Sequence, residues 1–257
     1  MKTVSGIGLG ALALSSLAYA GAALADAACS VAAHLVHSEA ALPHVAESIA
    51  KSKAFKIVVV GTTSSTLPGA AGQTLAYPAR LEVALQKKLP DVAVKVISLA
   101  KPRQTAADMA EAFPKVLKDE KPALVIWQTG TYDAMRGIGA ENFQATLESA
   151  VDRLQQGGAD VVFVNMQYSP RTEAVISTTP YADAIRWVAL ERSVNVFDRQ
   201  AVMRQWSELG TFDLLTATKS LDTAAKVHDC LGTLLADLIA EALSGNTADP
   251  PKETPKQ

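Results

Sequence analysis

A run of β-branched residues that ends at a glycine and opens into hydroxyl side chains constrains this chain most. Residues 56–60 read Lys-Ile-Val-Val-Val, and residues 61–66 read Gly-Thr-Thr-Ser-Ser-Thr. Such a run is typical of a buried parallel strand, whose carboxyl end lies at the sheet edge where ligands bind. We therefore expect a small nucleophile, or the donors of an oxyanion site, in the segment that follows the strand.

Apolar runs alternate with amphipathic segments along the rest of the chain. The pattern predicts strands over residues 57–60, 92–99, 123–127, 161–165 and 194–197. It predicts a short helix within residues 38–53 and helices over residues 77–89, 105–118 (kinked or interrupted at Pro114), 141–156, 181–192, 199–209 and 222–243. Continuously apolar strands separated by helices specify a three-layer α/β/α sandwich with a five-stranded parallel sheet of flavodoxin-like type.

The amino-terminal residues have the composition of an export signal. Lys2 precedes an apolar stretch over residues 7–24, and residues 23–25 (Ala-Leu-Ala) have the small-x-small pattern of a signal-peptidase site. We expect a signal peptide over residues 1–25 and a mature protein that is periplasmic or secreted. An uncleaved membrane anchor and a lipoprotein acylated at Cys29 are the alternatives.

The remaining chain divides into three parts. Residues 26–54 form an amino-terminal extension with a capping helix, residues 55–243 form one α/β domain, and residues 244–257 form a tail expected to be disordered. A formal net charge of −2 gives no reason to expect a nucleic-acid partner. Membrane contact is expected only through the signal segment before its cleavage.

The cysteines and histidines predict a disulfide and no metal site. An oxidising compartment favours a bond between Cys29 and Cys230, with two separate buried thiols as the alternative. The four histidines, which lack ligand spacing with either cysteine, are His34, His37, His44 and His228. We expect neither a metal ion nor a cofactor.

Several motifs, in their order and spacing, resemble the SGNH (GDSL-type) hydrolase family. Residues 61–65 (Gly-Thr-Thr-Ser-Ser) precede residues 77–81 (Tyr-Pro-Ala-Arg-Leu), an arrangement similar to an exported bacterial branch of that family. Residues 124–131 resemble the strand and turn of its third block, and residues 203–206 and 230–231 fit the same branch. The resemblance implies the SGNH-hydrolase fold for most of the mature chain.

The resemblance also implies positions for a nucleophile and its oxyanion donors. In the family, a serine two residues after the first-block glycine is the nucleophile, and this position is Thr63, after Gly61. A second-block glycine corresponds to Lys101, or is lost within residues 100–103. A third-block asparagine corresponds to Tyr132, close to Gly130. Threonine is a stiffer and more crowded alcohol than serine, so these substitutions predict weakened chemistry.

The family's acid and base are replaced as well. Its Asp-x-x-His pair falls on Lys219 and Asp222, which reverses the chemistry that an activated hydroxyl requires. Three substitutes are conceivable: His228 as base, Ser64 as a shifted nucleophile, or Lys219 paired with a hydroxyl. We expect His228 instead to be a surface residue.

Two functions follow as hypotheses. The first is an exported SGNH-fold protein with weak or no hydrolase activity, whose cleft binds a carbohydrate, an anionic or acyl ligand, or a protein partner. The alternative is an active esterase, acyl hydrolase or acetyl-transfer enzyme with a non-standard catalytic set. Asp133 would then take part, or else cap the turn before Gly137. Loops 61–72, 100–105 and 129–139 should line the cleft, and loop 212–221 should close it. The predicted ligand-binding residues are Gly61, Thr62, Ser64, Lys101, Arg103 and Arg136.

Overall fold

The computed structural model describes residues 29–216 and 220–245. The chain divides into two units, Met1–Ser30 and Val31–Gln257, and every element below belongs to the second. The predicted signal peptide and nearly all of the predicted tail lie outside the described residues. The strands are Ala54–Val60 (β1), Ala93–Ser98 (β2), Leu124–Gln128 (β3), Asp160–Val164 (β4) and Asn195–Phe197 (β5).

Helices follow the strands in alternation. They are Pro43–Ser52 (α1), Tyr77–Lys88 (α2), Ala106–Glu120 (α3), Thr131–Arg136 (α4), Ala140–Gln156 (α5), Thr179–Arg192 (α6), Arg199–Glu208 (α7) and Asp222–Ser244 (α8). Single helical turns occupy Ala33–Leu35, Thr63–Ser65, Gly72–Leu75 and Pro170–Glu173. Within the described ranges, no helix has both the length and the apolar composition to cross a bilayer.

Each predicted strand and helix is present, with shifted ends. Of the kink or interruption expected at Pro114, the interruption is absent, because α3 continues past this residue to Glu120. A proline inside a helix removes one backbone hydrogen bond. The neighbouring side chains of Met109, Phe113 and Val116 are buried, and their packing sustains the helix through this loss.

The five strands form one parallel sheet in the order β2-β1-β3-β4-β5. Ile57 of β1 lies opposite Leu124 of β3, and Leu124 lies opposite Asp160 of β4. The predicted α/β sandwich with a five-stranded parallel sheet is therefore confirmed. Strand β2 lies on one side of β1, and β3 lies on the other. The direction in which successive strands are added therefore reverses between β1 and β3, and ligand crevices form at such a switch point.

Helices cover both faces of the sheet. On one face, Val58, Trp127 and Phe163 pack in a single apolar cluster with buried residues of α3, α5 and α6. The Trp127 ring meets the Phe113 ring edge-on, with 4.9 Å between centroids. Because strand side chains alternate between faces, the intervening residues face the other layer, where α2 and α8 pack against each other.

The amino-terminal extension is fastened to β5 through Asn195. The Asn195 Oδ1 atom accepts hydrogen bonds from the Ser38 hydroxyl and from the main-chain N–H groups of Glu39 and Ala40, and its Nδ2 atom donates to the Ala40 carbonyl. The capping helix α1 begins at Pro43, within the segment 38–53 predicted to contain it. Residues 38–40 are held by Asn195, and proline is favoured in the first turn of a helix.

At the other edge of the sheet, side chains of α2 cover β2. The Val96 N–H donates to Glu82 Oε2 over 2.6 Å, and the Val94 N–H donates to Gln86 Oε1 over 3.4 Å. Gln86 Nε2 in turn donates to the Val92 carbonyl over 3.1 Å. Two outward N–H groups of this edge strand are thus occupied within the chain.

The two cysteines are both disulfide-bonded. Because the chain has no others, Cys29 and Cys230 form the bond, and the predicted disulfide is confirmed. Cys230 is buried within α8.

Candidate active site

A cleft of about 540 Å³ lies at the carboxyl ends of the strands. Its walls come from the turn after β1, the residues after β4, the start of α7, the segment that precedes α8, and the first turns of α8. The lining side chains used below are Thr63, Ser64, Gln167, Arg199, Asp213 and His228.

The hydroxyl-rich turn begins at a glycine because there is no room for a side chain. A Cβ atom on Gly61 would lie 2.6 Å from the Ser65 hydroxyl and 3.0 Å from the Gln128 Oε1 atom. The chain therefore turns immediately after β1, and Thr63–Ser65 form one helical turn at the mouth of the strand.

Gln128, the last residue of β3, holds this turn in place. Its buried Oε1 atom accepts from the Thr62 N–H over 2.9 Å and from the Thr62 hydroxyl over 3.0 Å. It also accepts from the Ser64 and Ser65 hydroxyls, each over 3.2 Å. Its Nε2 atom has no partner in the described part of the chain. One neutral amide oxygen thus accepts hydrogen bonds from four donors of the turn, at the point where the carboxyl ends of β1 and β3 lie side by side.

Arg199 is a buried cation beside Ser64. Its side chain is almost wholly inaccessible, and Nη1 donates to the Ser64 carbonyl over 3.0 Å and to the Ser64 hydroxyl over 3.3 Å. Nη2 donates to Gln167 Oε1 over 3.2 Å, and the guanidinium lies 5.7 Å from the centroid of the Tyr77 ring. Burial lowers the pKa of Arg199 to about 10, so the group remains charged at neutral pH.

His228 lines the same cleft as a neutral imidazole. Its Nδ1 atom accepts the main-chain N–H of Tyr77 over 2.9 Å, so its single ring proton lies on Nε2. Burial, assisted by the positive charge of Arg199, lowers the pKa of His228 to about 3. At neutral pH the imidazole is a hydrogen-bond donor at Nε2 and has no free nitrogen lone pair with which to take a proton.

Thr63 is the exposed hydroxyl of the turn. The described residues offer its side chain no hydrogen-bond partner, and no hydrogen bond joins His228 to Thr63 or to Ser64 within those ranges. The two ring contacts of His228 that the structure shows are with Tyr77, through Nδ1 and ring against ring. A hydroxyl–imidazole–carboxylate relay is therefore not assembled among the described residues.

A model of the non-GDSL lipase-like family matches residues 28–245. The chain belongs to this family. Its predicted resemblance to SGNH-type hydrolases is confirmed, and the chain is a member of an esterase- and lipase-like hydrolase family.

Sequence and structure comparisons agree with the family. Esterase TesA from Pseudomonas aeruginosa is 32% identical over 88 residues, which is 34% of this chain and only 44% of that relative. A crystal structure of TesA superimposes with a TM-score of 0.53 at 20% identity, over 72% of this chain and 97% of the other.

Two further solved structures share the fold. A lipase/acylhydrolase from Enterococcus faecalis has a TM-score of 0.55 at 20% identity, over 72% of this chain and 95% of its own. A variant of the acetyl xylan esterase Axe2 from Geobacillus stearothermophilus has a TM-score of 0.56 at 18% identity, over 72% and 94%. These likenesses show the common fold of this non-GDSL lipase-like chain.

The positions that the hydrolase family uses are dispersed in this member. Thr63 lines the cleft, whereas Gly130, Tyr132 and Lys101 do not. Asp222 is exposed at the start of α8 and also lies outside the lining. Lys219 lies outside the described residues. The roles proposed for these residues stay predictions.

The expectation that loops 100–105 and 129–139 line the cleft is wrong. The Asp133 Oδ1 atom accepts the Ala106 N–H over 2.9 Å, which ties α4 to the start of α3. Burial raises the pKa of Asp133. Gly130, with φ of +97°, makes the preceding turn against Met166, whose sulfur would lie 2.6 Å from an added Cβ. Asp133 thus fixes α4 against α3, and Gly130 allows the preceding turn to approach Met166 closely.

The positive charge of the cleft is also placed differently from the prediction. Lys101 borders a separate depression with Val60 and Leu99, and Arg103 and Arg136 are exposed outside the cleft lining. Of the predicted ligand-binding residues, Gly61, Thr62 and Ser64 belong to the turn held by Gln128. The cation in the described lining is Arg199, which in the sequence is only the first residue of the helix predicted over 199–209.

The expectation that His228 is a surface residue is wrong, because only 6% of it is exposed. The packing of α8 against α2 brings this face of α8 inward. The Tyr77 N–H at the start of α2 has no partner within its own helix, and the imidazole supplies the acceptor.

Proposed function

We propose that this protein is an exported member of its hydrolase family that binds a ligand in its cleft and has weak or no hydrolase activity. The ligand would be a carbohydrate or an anionic or acyl compound, and docking of a protein partner is the other use that such a cleft offers. The cleft supplies hydroxyl groups, a buried cation and apolar walls, which are the groups that such sites use.

One observation carries the proposal, namely the hydrogen bond from the Tyr77 N–H to Nδ1 of His228. An alcohol becomes a competent nucleophile when a neutral imidazole nitrogen accepts its proton. The only histidine among the described lining residues uses its accepting nitrogen on the main chain and keeps a proton on the other. Loss of base and nucleophile from such a triad lowers turnover by about 10⁶-fold.

The alternative is an active esterase or acyl-transfer enzyme with a non-standard set. Family membership favours it, and so does the contact between the Ser64 hydroxyl and Arg199. A nearby cation stabilises an alkoxide, although it accepts no proton.

Hydrolysis of p-nitrophenyl acetate by the mature protein, with Thr63→Ala and Ser64→Ala as matched variants, separates the two functions. We expect a wild-type rate no greater than that of either variant. A wild-type rate well above buffer that disappears in one variant would establish an enzyme and identify its nucleophile.

Export is part of the proposal, and the disulfide supports it because such bonds persist in oxidising compartments. Amino-terminal sequencing of the protein recovered from the periplasm or medium should give a chain that begins at Asp26. A cytosolic protein that retains Met1 would contradict it.

A further inference from the structure

The cleft contains a buried positive charge that no acid neutralises in the described structure. Only 1% of Arg199 is exposed, and all its hydrogen-bond acceptors are neutral, namely the Ser64 carbonyl and hydroxyl and the Gln167 amide oxygen. Its Nε atom has no partner within the described ranges. Charged groups are almost never fully buried without an oppositely charged partner.

The other charged and titratable groups in the described lining do not offset Arg199. The carboxylate of Asp213 accepts the N–H groups of Leu215 and Thr216 and is exposed. His228 is neutral because its Nδ1 atom is occupied and the ring is buried. The described lining therefore includes one uncompensated cation, Arg199, and the Tyr77 ring supplies only a cation–π contact.

The chemistry of the remaining wall indicates what kind of anion fits. Thr63, Thr66 and Thr223 line the cavity together with apolar residues such as Leu67 and Met203. A volume of about 540 Å³ accommodates a small organic molecule rather than a bare ion. A single cation matches a singly charged group, and a guanidinium matches the planar geometry of a carboxylate.

We propose that the cleft binds a small hydroxylated carboxylate, of the sugar-acid class, with its carboxylate beside Arg199 and the Ser64 hydroxyl. This inference rests on the proposed function and names the ligand class of that same site. The Ser64 oxygen accepts from Arg199 while its proton is donated to Gln128 Oε1, so a ligand oxygen would compete with Gln128 for that proton.

Isothermal titration with four probes tests the ligand class: glucuronate, neutral glucose, acetate and inorganic phosphate. We expect glucuronate to bind at least about tenfold more tightly than glucose, as a charge-assisted hydrogen bond implies. Acetate, which lacks the hydroxyls, and phosphate, which is not planar, should bind more weakly than glucuronate. Equal affinity for glucuronate and glucose, or tighter binding of phosphate, would overturn the inference.

The Arg199→Met variant locates the site. It should bind glucuronate and glucose about equally, whereas Arg103→Met, which removes an exposed arginine outside the cleft, should keep the wild-type preference. A preference for glucuronate that survives in Arg199→Met would place the carboxylate elsewhere and overturn the assignment.

A second variant keeps Arg199 intact in case its replacement prevents folding. Thr223→Glu introduces an internal carboxylate into the cleft wall, and Thr223→Gln is its neutral match. We expect glucuronate affinity to fall at least about tenfold in Thr223→Glu relative to Thr223→Gln. Equal affinities in the two folded variants would contradict the proposal. Ester hydrolysis tests the proposed function separately, so an inactive protein without acid preference refutes only this inference.

Discussion

The main-chain N–H of Tyr77 donates to Nδ1 of His228 across 2.9 Å. This bond joins the start of α2 to α8, and both residues are buried. It places the ring proton on Nε2. The same contact thus supplies an acceptor to an open helix end and occupies the ring nitrogen of His228 that could otherwise accept a proton.

Replacement of His228 should separate the structural role from any catalytic one. His228→Leu leaves the Tyr77 N–H buried without an acceptor, which costs about 1–3 kcal/mol of the free energy of unfolding. His228→Asn retains an oxygen near the position of Nδ1 and should lose less. Urea unfolding of the three proteins measures the difference.

If His228→Leu and His228→Asn are equally stable, the hydrogen bond does not contribute as described. If either variant abolishes a measurable ester hydrolysis that the wild type possesses, the imidazole has a catalytic role.

The stability of the wild type should fall as the solution becomes acidic. The pKa of His228 is about 3 in the folded protein, below its ordinary value of about 6.5 in an unfolded chain. Between those values the unfolded chain binds a proton that the folded protein does not, so the free energy of unfolding decreases as pH falls, by up to about 1.4 kcal/mol per pH unit.

The His228→Asn variant lacks this contribution and serves as the control. Urea unfolding at about pH 6.5 and about pH 4.5 should show a steeper loss for the wild type than for the variant. Parallel losses in the two proteins would argue that His228 is not held neutral by burial.

Gln128 should be essential for the hydroxyl turn. Gln128→Leu removes the acceptor of four donors, including the buried Thr62 N–H, and should cost about 2–4 kcal/mol of unfolding free energy. Gln128→Glu keeps acceptor oxygens at the same position and should be the more stable of the two. Thermal unfolding of both ranks them, and the opposite order would refute the anchoring role.

Two glycines with positive φ provide a matched pair. Gly130→Ala combines a left-handed backbone with a Cβ atom 2.6 Å from the Met166 sulfur, whereas Gly137→Ala, with φ of +63°, meets nothing within 4 Å. We expect losses of about 2–4 and about 1 kcal/mol respectively in urea unfolding. Equal losses would show that Met166 yields without cost.

The disulfide should stabilise the mature chain. Replacing Cys29 and Cys230 together with alanine removes a cross-link that spans most of the chain and should lower the free energy of unfolding by about 2–5 kcal/mol. Adding a reductant to the wild type should reproduce the effect and leave the double variant unchanged. A reductant effect in the double variant would point to another cause.

The sheet and its helices could be predicted because each strand is a continuous apolar run and each helix has its own periodicity. Strand β1 and the glycine after it also located one wall of the cleft. Such signals are local, so one segment of sequence suffices to read them.

The other walls depend on distant pairings. In the sequence, Gln128 is only a polar residue at the end of a predicted strand, and its hydrogen bond with Thr62 forms in the folded chain. Arg199 is likewise only the first residue of a predicted helix, and the fold brings it within hydrogen-bonding distance of Ser64. His228 resembled a surface residue because its partner is a main-chain N–H 151 positions away. Motif spacing carries no information on such contacts.

Gln86 and Glu82 of α2, which accept the N–H groups of β2, affect whether two copies of this protein can pair through their edge strands. An open edge strand is a template on which a second molecule can add its own strand. A foreign strand arriving at Val94 and Val96 would first have to displace Gln86 and Glu82, and Lys95 adds a charge at the same edge. Strand addition by a second copy is therefore opposed by side chains of the same domain, even where the protein is highly concentrated.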